Sequence, residues 1–226
     1  MKLIFLLTFF FPIVISFKVD AQSIEDRFPL SVINATGNKR LIFYFSGDGG
    51  INNFTENLCD QLGAKGYTVI RFNSRKYFWT KKTPEQIAKD AGEIITYYLS
   101  LYNKKDFSLV GYSFGADAAV YLANRLPKNM QQKLVSATLL SPSLATDFTV
   151  KFSDLLGIEN NKGAYETLPE VNKIAVPLLF IFGEEENKTF YNAIASKKNI
   201  RRILLPGSHK FNNDITKVVN TILIAL

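Results

Sequence analysis

Gly111-Tyr112-Ser113-Phe114-Gly115 fits G-x-S-x-G, the pattern of a sharp strand-to-helix turn that pushes a serine hydroxyl out of the backbone. A hydroxyl is a poor nucleophile until a base takes its proton, and imidazole is the base best matched to neutral pH. The chain has a single histidine, His209, which follows the apolar run ending at Leu205. A carboxylate behind that ring would fix its tautomer and stabilise the imidazolium that forms. Gly183-Glu184-Glu185-Glu186 offers three; Glu186, three residues past the glycine, is the first choice and Glu185 the second. Ser46-Gly47-Asp48-Gly49-Gly50 can turn backbone N–H groups toward a developing oxyanion, with Gly47 and Asp48 as donors beside the N–H of Phe114. Each motif also has a plain reading: a tight turn, a structural histidine, a solvated acidic loop. A metal centre is not expected, because one histidine and one cysteine cannot supply the usual ligand sets. No cofactor is expected either.

Groups so far apart in the chain need a rigid frame to meet. Arg40–Gly47, Tyr67–Asn73, Phe107–Gly111, Ser136–Ser141, Pro177–Gly183 and Asn199–Pro206 are short apolar runs bounded by turn residues, and they predict strands. Between them, Asn53–Lys65, Thr83 to about Leu101, Ser113–Asn124 and Asn213–Leu226 predict helices. The second starts on Thr83-Pro84-Glu85-Gln86, a capping box with proline at the first helical position. Strands apolar on both faces, alternating with helices, imply an α/β fold: a mostly parallel sheet covered by helices on both sides. In such a sheet ligands bind beyond the carboxyl ends of the strands, where Ser113, Glu186 and His209 all fall. Residues 143–176 lack a clear strand and are expected to be an insertion over that face, lid-like or merely connecting.

The 226 residues suit one domain, and 47% hydrophobic with 21% charged residues is an ordinary globular balance. Met1-Lys2, the apolar run Leu3–Phe17 and the small-residue exit Val19-Asp20-Ala21 read as a cleavable signal peptide over 1–21, leaving 22–226 as the domain. The run contains Pro12 and falls short of the ~20 residues a spanning helix needs; an uncleaved anchor is the alternative. Export is therefore expected. Cys59, the lone cysteine, permits no intrachain disulfide. A formal charge of +7 biases an exported protein toward anionic surfaces, foremost phospholipid. The lysines are scattered and no nucleic-acid module is visible, so nucleic acid is not expected as a partner.

Several segments together resemble the bacterial VirJ/AcvB virulence-protein family. They are Phe45-Ser-Gly-Asp-Gly-Gly50, Asn73-Ser-Arg-Lys-Tyr-Phe-Trp-Thr-Lys-Lys-Thr-Pro-Glu-Gln86, Val110-Gly-Tyr-Ser-Phe-Gly-Ala-Asp117 with Asn124-Arg-Leu-Pro127, and Leu205-Pro-Gly-Ser-His-Lys-Phe211. The resemblance implies a periplasmic α/β-hydrolase whose serine and histidine positions are Ser113 and His209. It also implies an activity that removes the lysyl group from lysyl-phosphatidylglycerol.

Arg75, Lys76, Tyr77 and Trp79 interleave cations with aromatics on a loop at a strand's carboxyl end, which suits an anionic headgroup and peripheral contact with a bilayer. The aromatics could equally pack over the sheet. The ammonium of an aminoacyl ester would want an acidic partner; Asp117, Asp48 and the spare glutamates are available, although Asp117 could instead complement its helix dipole. The leading expectation is a serine hydrolase acting on an aminoacyl ester of a phospholipid. A generic esterase or thioesterase, and a non-catalytic periplasmic binding or assembly factor, stand beside it.

Overall fold

The strands, in chain order, are β1 (Leu30–Ile33), β2 (Leu41–Phe45), β3 (Thr68–Phe72), β4 (Phe107–Tyr112), β5 (Leu134–Leu140), β6 (Ala145–Thr146), β7 (Tyr165–Glu166), β8 (Leu178–Gly183) and β9 (Ile200–Leu205). The helices are α1 (Ile24–Arg27), α2 (Asn53–Ala64), α3 (Ser74–Tyr77), α4 (Pro84–Leu101), α5 (Phe114–Arg125), α6 (Lys128–Gln131), α7 (Thr167–Val171), α8 (Thr189–Ala193) and α9 (Ile215–Ile222). These come from a computed structural model, which describes residues 23–35, 37, 39–150 and 163–226. The expected signal peptide, 1–21, lies outside the described residues.

Seven strands form one sheet in the order β1-β3-β2-β4-β5-β8-β9, and every pairing from β3 to β9 is parallel. The doubly covered parallel sheet expected from the apolar runs is present. All of β2 and β4 is buried, and alternate residues serve opposite cores. Leu41, Phe43 and Phe45 pack with the apolar faces of α4 and α5; Ile42 and Tyr44 pack with those of α2 and α9. Thr83 and Gln86 close the capping box of α4 reciprocally. Edge strand β1 carries no such sequence signal: it is short, half-buried and joined antiparallel to β3, so no fully apolar run announces it.

From β2 the chain winds outward to β3, then crosses back over β2 to β4 and continues to β9. The carboxyl ends of β2 and β4 therefore flank the point where the winding reverses, the usual place for a crevice in such a sheet.

Residues 143–176 differ from expectation in part. Their described portions include a two-residue antiparallel ladder, β6 with β7, and the short α7. They are also tied to the body: Val150 N–H donates to Phe78 O (2.9 Å), Lys82 N–H to Phe148 O (3.0 Å), and the Phe148 ring is fully buried. The apolar stretch Phe152–Ile158 lies outside the described residues.

Candidate active site

Ser113 is the single residue between β4 and α5, with φ 53° and ψ −125°, a left-handed geometry that costs an L residue about 1–3 kcal/mol. Its N–H donates to Leu140 O (2.8 Å) and its carbonyl accepts from Ala116 N–H (2.7 Å), so both sides of the bend are anchored. The flanking glycines are steric necessities. A Cβ on Gly111 would lie 2.4 Å from Gly115 O, and one on Gly115 would lie 2.3 Å from Ser46 O. The turn brings the hydroxyl to the top of the sheet, half-exposed.

The acid and base loops leave neighbouring strands. β8 and β9 end in register, Gly183 beside Leu205, and two backbone bonds continue past the sheet: Glu184 N–H to Leu205 O (2.8 Å) and Glu185 N–H to Gly207 O (3.1 Å). A Cβ on Gly183 would sit 2.4 Å from Ser208 O, so only glycine lets the loops close up. Glu184 and Glu185 spend their backbone on this seam and point their side chains to solvent. Glu186 turns back, and its Oε1 lies 2.5 Å from His209 Nδ1. Its Oε2 accepts from Gly183 N–H (2.7 Å) and from the Ser141 hydroxyl (2.8 Å). Burial alone would raise this carboxyl's pKa, but the bonds from His209, Gly183 and Ser141 outweigh it and hold the group below the usual carboxylate range. An anionic Glu186 places the proton on Nδ1 and leaves Nε2 as the basic nitrogen.

Tyr112, next to the candidate nucleophile, fastens the base loop. Its hydroxyl donates to the His209 carbonyl (3.1 Å), and its ring centroid is 5.2 Å from the imidazole. Among the described residues the Ser113 hydroxyl makes no hydrogen bond, to His209 or to any other group. Nucleophile–base bonds of this kind commonly close only around a substrate. Ser141 and Tyr112 escaped sequence reasoning, although Ser141 ends an apolar run at the sheet's carboxyl edge, where a polar residue merits a role.

The 46–50 loop lies against this turn: a Cβ on Gly47 would be 3.6 Å from the Cβ of Ser113. Ser46 fixes the loop by donating to Gly47 O (3.1 Å) and accepting from Ser74 N–H (3.0 Å). Gly50, at φ 74°, closes a turn onto Gly47 O (3.0 Å). Among the described residues, the N–H groups of Gly47, Asp48 and Phe114 have no hydrogen-bond partner, which leaves all three expected donors available. The Phe114 ring walls one side, 4.9 Å from Phe78 and 6.4 Å from Phe148.

Two expected substrate contacts are corrected. Tyr77 is buried; its hydroxyl donates to Asp90 (2.6 Å) and its ring packs edge-on against Phe72 and Phe78. The single turn of α3 explains this, because Ser74, Tyr77 and Phe78 share its inner side while Arg75, Lys76 and Trp79 share the outer one. Trp79 is 61% exposed. Asp117 is 1% exposed, and its two oxygens accept from the N–H (2.8 Å) and hydroxyl of Ser143 rather than facing an open cleft. Lys76 also lines a cavity of about 330 Å³ with Arg71, Ser31 and Leu30 at the β1–β3 edge; Ser113 is not part of it. Among the described residues, no three or more His, Cys, Asp or Glu side chains converge to hold a metal ion.

Residues 39–226 match the family described as "Bacterial virulence protein (VirJ)". None of the curated proteins compared matches the chain in sequence. Solved structures do match in fold. A proline iminopeptidase from Mycobacterium smegmatis has 14% identity and TM-score 0.60 over 87% of this chain and 92% of that one. The α/β-hydrolase GrgF from Penicillium sp. sh18 has 12% identity and TM-score 0.65, covering 85% and 91%. A lipase-esterase related protein from Clostridium acetobutylicum has 14% identity and TM-score 0.63, covering 87% and 99%. At such identities the likeness concerns the α/β-hydrolase fold alone.

Proposed function

This chain belongs to the VirJ family of bacterial virulence proteins, and from that premise we propose that it is a serine hydrolase that cleaves esters through Ser113, His209 and Glu186. The observation that carries the reading is the 2.5 Å contact of Glu186 with His209 Nδ1, on loops that abut the strained turn bearing Ser113. Nε2 of His209 takes the Ser113 proton as Oγ attacks the ester carbonyl carbon, and Glu186 stabilises the imidazolium. The negative charge moves onto the carbonyl oxygen, where the N–H of Phe114 and that of Gly47 or Asp48 receive it. Each such donor contributes about 3 kcal/mol to the transition state. Collapse breaks the C–O bond, and the alcohol leaves with the proton from Nε2. Water, deprotonated by the same nitrogen, then attacks the acyl carbon; the bond to Ser113 Oγ breaks, Oγ takes the proton back from Nε2, and the acid is released and ionises to a carboxylate in solvent.

The finer reading is an aminoacyl ester of an anionic phospholipid, of the lysyl-phosphatidylglycerol kind, met by an exported protein at the membrane surface. Exposed Trp79 beside Arg75 and Lys76 supports contact with an anionic interface. Half-buried Asp48 and exposed Glu184 and Glu185 lie on the loops around the turn and suit an ammonium. The test is release of lysine from lysyl-phosphatidylglycerol vesicles and hydrolysis of short soluble esters, by the wild type and by Ser113→Ala. Undiminished ester hydrolysis by a folded Ser113→Ala protein would sink the reading.

The unbonded Ser113 hydroxyl favours a second reading, a non-catalytic binding factor that kept the fold. A fluorophosphonate probe separates the two, since an unactivated serine does not react with it.

A further inference from the structure

Ser141 is the first residue past β5, the strand between the one that delivers the nucleophile and the one that delivers the acid. Its neighbour Leu140 pairs with Tyr112 of β4 on one side and with Ile181 of β8 on the other. Past that rung the contacts continue in both directions. Leu140 O accepts from Ser113 N–H (2.8 Å), and Ser141 N–H donates to Ile181 O (2.8 Å). The Ser141 hydroxyl donates to Glu186 Oε2 (2.8 Å) and has no other partner among the described residues. Leu140 and Ser141 together therefore touch both the bend that carries Ser113 and the carboxylate behind His209.

The Ser141 backbone is held at φ 49°, a region glycine enters freely and serine only at a cost. Ser141 is buried, and its backbone and side-chain hydrogen bonds keep it in that geometry. A turn that needed this backbone alone would be better served by glycine. What serine adds is a hydroxyl, and the hydroxyl goes to Glu186.

Glu186 needs that donor for a geometric reason. The terminal torsion of a glutamate is soft, so a carboxylate held at one point can still turn. The Gly183 N–H on Oε2 (2.7 Å) comes from the start of the same loop and moves with it. Ser141 reaches the same oxygen from β5, outside that loop, and ties the carboxylate to the frame that also anchors Ser113. With Oε2 fixed by both donors, Oε1 is left facing His209 Nδ1 at 2.5 Å. We propose that Ser141 is a positioning residue: from the end of β5 its hydroxyl aims Glu186 at His209 and so sets the place of the imidazole relative to Ser113. Its effect on catalysis rests on the hydrolase reading above; the aiming of the carboxylate does not.

The test compares the purified wild type with Ser141→Ala and Ser141→Gly. Both variants lose the hydroxyl, but only glycine is at ease in the left-handed backbone, so the unfolding midpoint of Ser141→Gly should lie above that of Ser141→Ala. The rates should not follow that order. With p-nitrophenyl acetate as substrate, kcat should fall about tenfold in both, the scale of one lost hydrogen bond to a charged group. KM should change less than about twofold, because no contact with substrate is removed. The chain's single imidazole makes the Nδ1–H proton resonance of His209 a direct monitor of its bond to Glu186. That resonance should be sharp in the wild type and shifted or broadened in both variants. The proposal is overturned if the resonance is the same in all three proteins, or if kcat recovers in Ser141→Gly along with the midpoint, as a merely structural serine would require. It is equally overturned if both variants fail to fold, or if the wild type lacks the resonance while hydrolysing the ester. A resonance that responds as expected in a wild type with no ester hydrolysis sinks the hydrolase reading and leaves the positioning role standing.

Discussion

His209 Nδ1 lies 2.5 Å from Glu186 Oε1, although the two residues sit on different loops at the ends of adjacent strands. The parallel register of β8 and β9 brings those ends together, and the backbone seam beyond them sets the distance.

Replacing Glu186 with Gln keeps acceptors for Gly183 N–H and Ser141 but removes the charge that fixes the His209 tautomer. Ester hydrolysis should fall roughly ten-thousandfold, as when a triad carboxylate becomes an amide. Initial rates, with circular dichroism to confirm the fold, check this; a loss under about tenfold would take Glu186 out of the proposed role.

The left-handed geometry of Ser113 stores strain that glycine does not feel. Ser113→Gly should abolish hydrolysis and yet stabilise the protein by about 1 kcal/mol. Denaturant unfolding of the two proteins is the measurement. Equal or lower stability in the variant would mean that the bend is not strained.

Glu170 on α7 is buried but receives Arg125 (2.9 Å), Lys173 (2.7 Å) and Asn124 (2.9 Å). Desolvation would raise its pKa; these partners more than offset that and bring it down to about 2. A depressed carboxyl stabilises the fold above its unfolded pKa, and that contribution disappears as pH falls toward about 2. Glu170→Gln should cost about 2 kcal/mol at neutral pH and flatten the acid limb of the stability curve. Unfolding midpoints measured down the acid range decide it.

If Arg75 and Lys76 meet an anionic bilayer, Ala at either position should weaken vesicle binding about fivefold, near 1 kcal/mol per cation. Added salt should erase the difference. Co-sedimentation with phosphatidylglycerol vesicles measures it, and equal binding to zwitterionic vesicles would remove the membrane role.

The elements were legible because their signals are local. An apolar run long enough for one strand, a threonine–proline helix start and the two glycines around Ser113 each state a requirement that neighbouring residues satisfy. Edge strand β1 was not legible, because its partner in β3 lies far along the chain and its own burial is only partial.

Within the site, the residue types and their order along the strands were set by the amino-acid sequence alone, since the chemistry of a hydroxyl, an imidazole and a carboxyl does not depend on the fold. Which partner each one meets was decided in three dimensions. Three adjacent glutamates look alike in one dimension; two are turned to solvent by the β8–β9 seam and the third is folded back onto the ring. Tyr77 and Trp79 differ only by the side of one helical turn, yet one is buried and the other exposed. Asp117 reads as a surface charge until α5 packs against the sheet and the 141–145 turn encloses it. Burial and hydrogen bonding are properties of groups brought together from distant positions, and no local pattern encodes them.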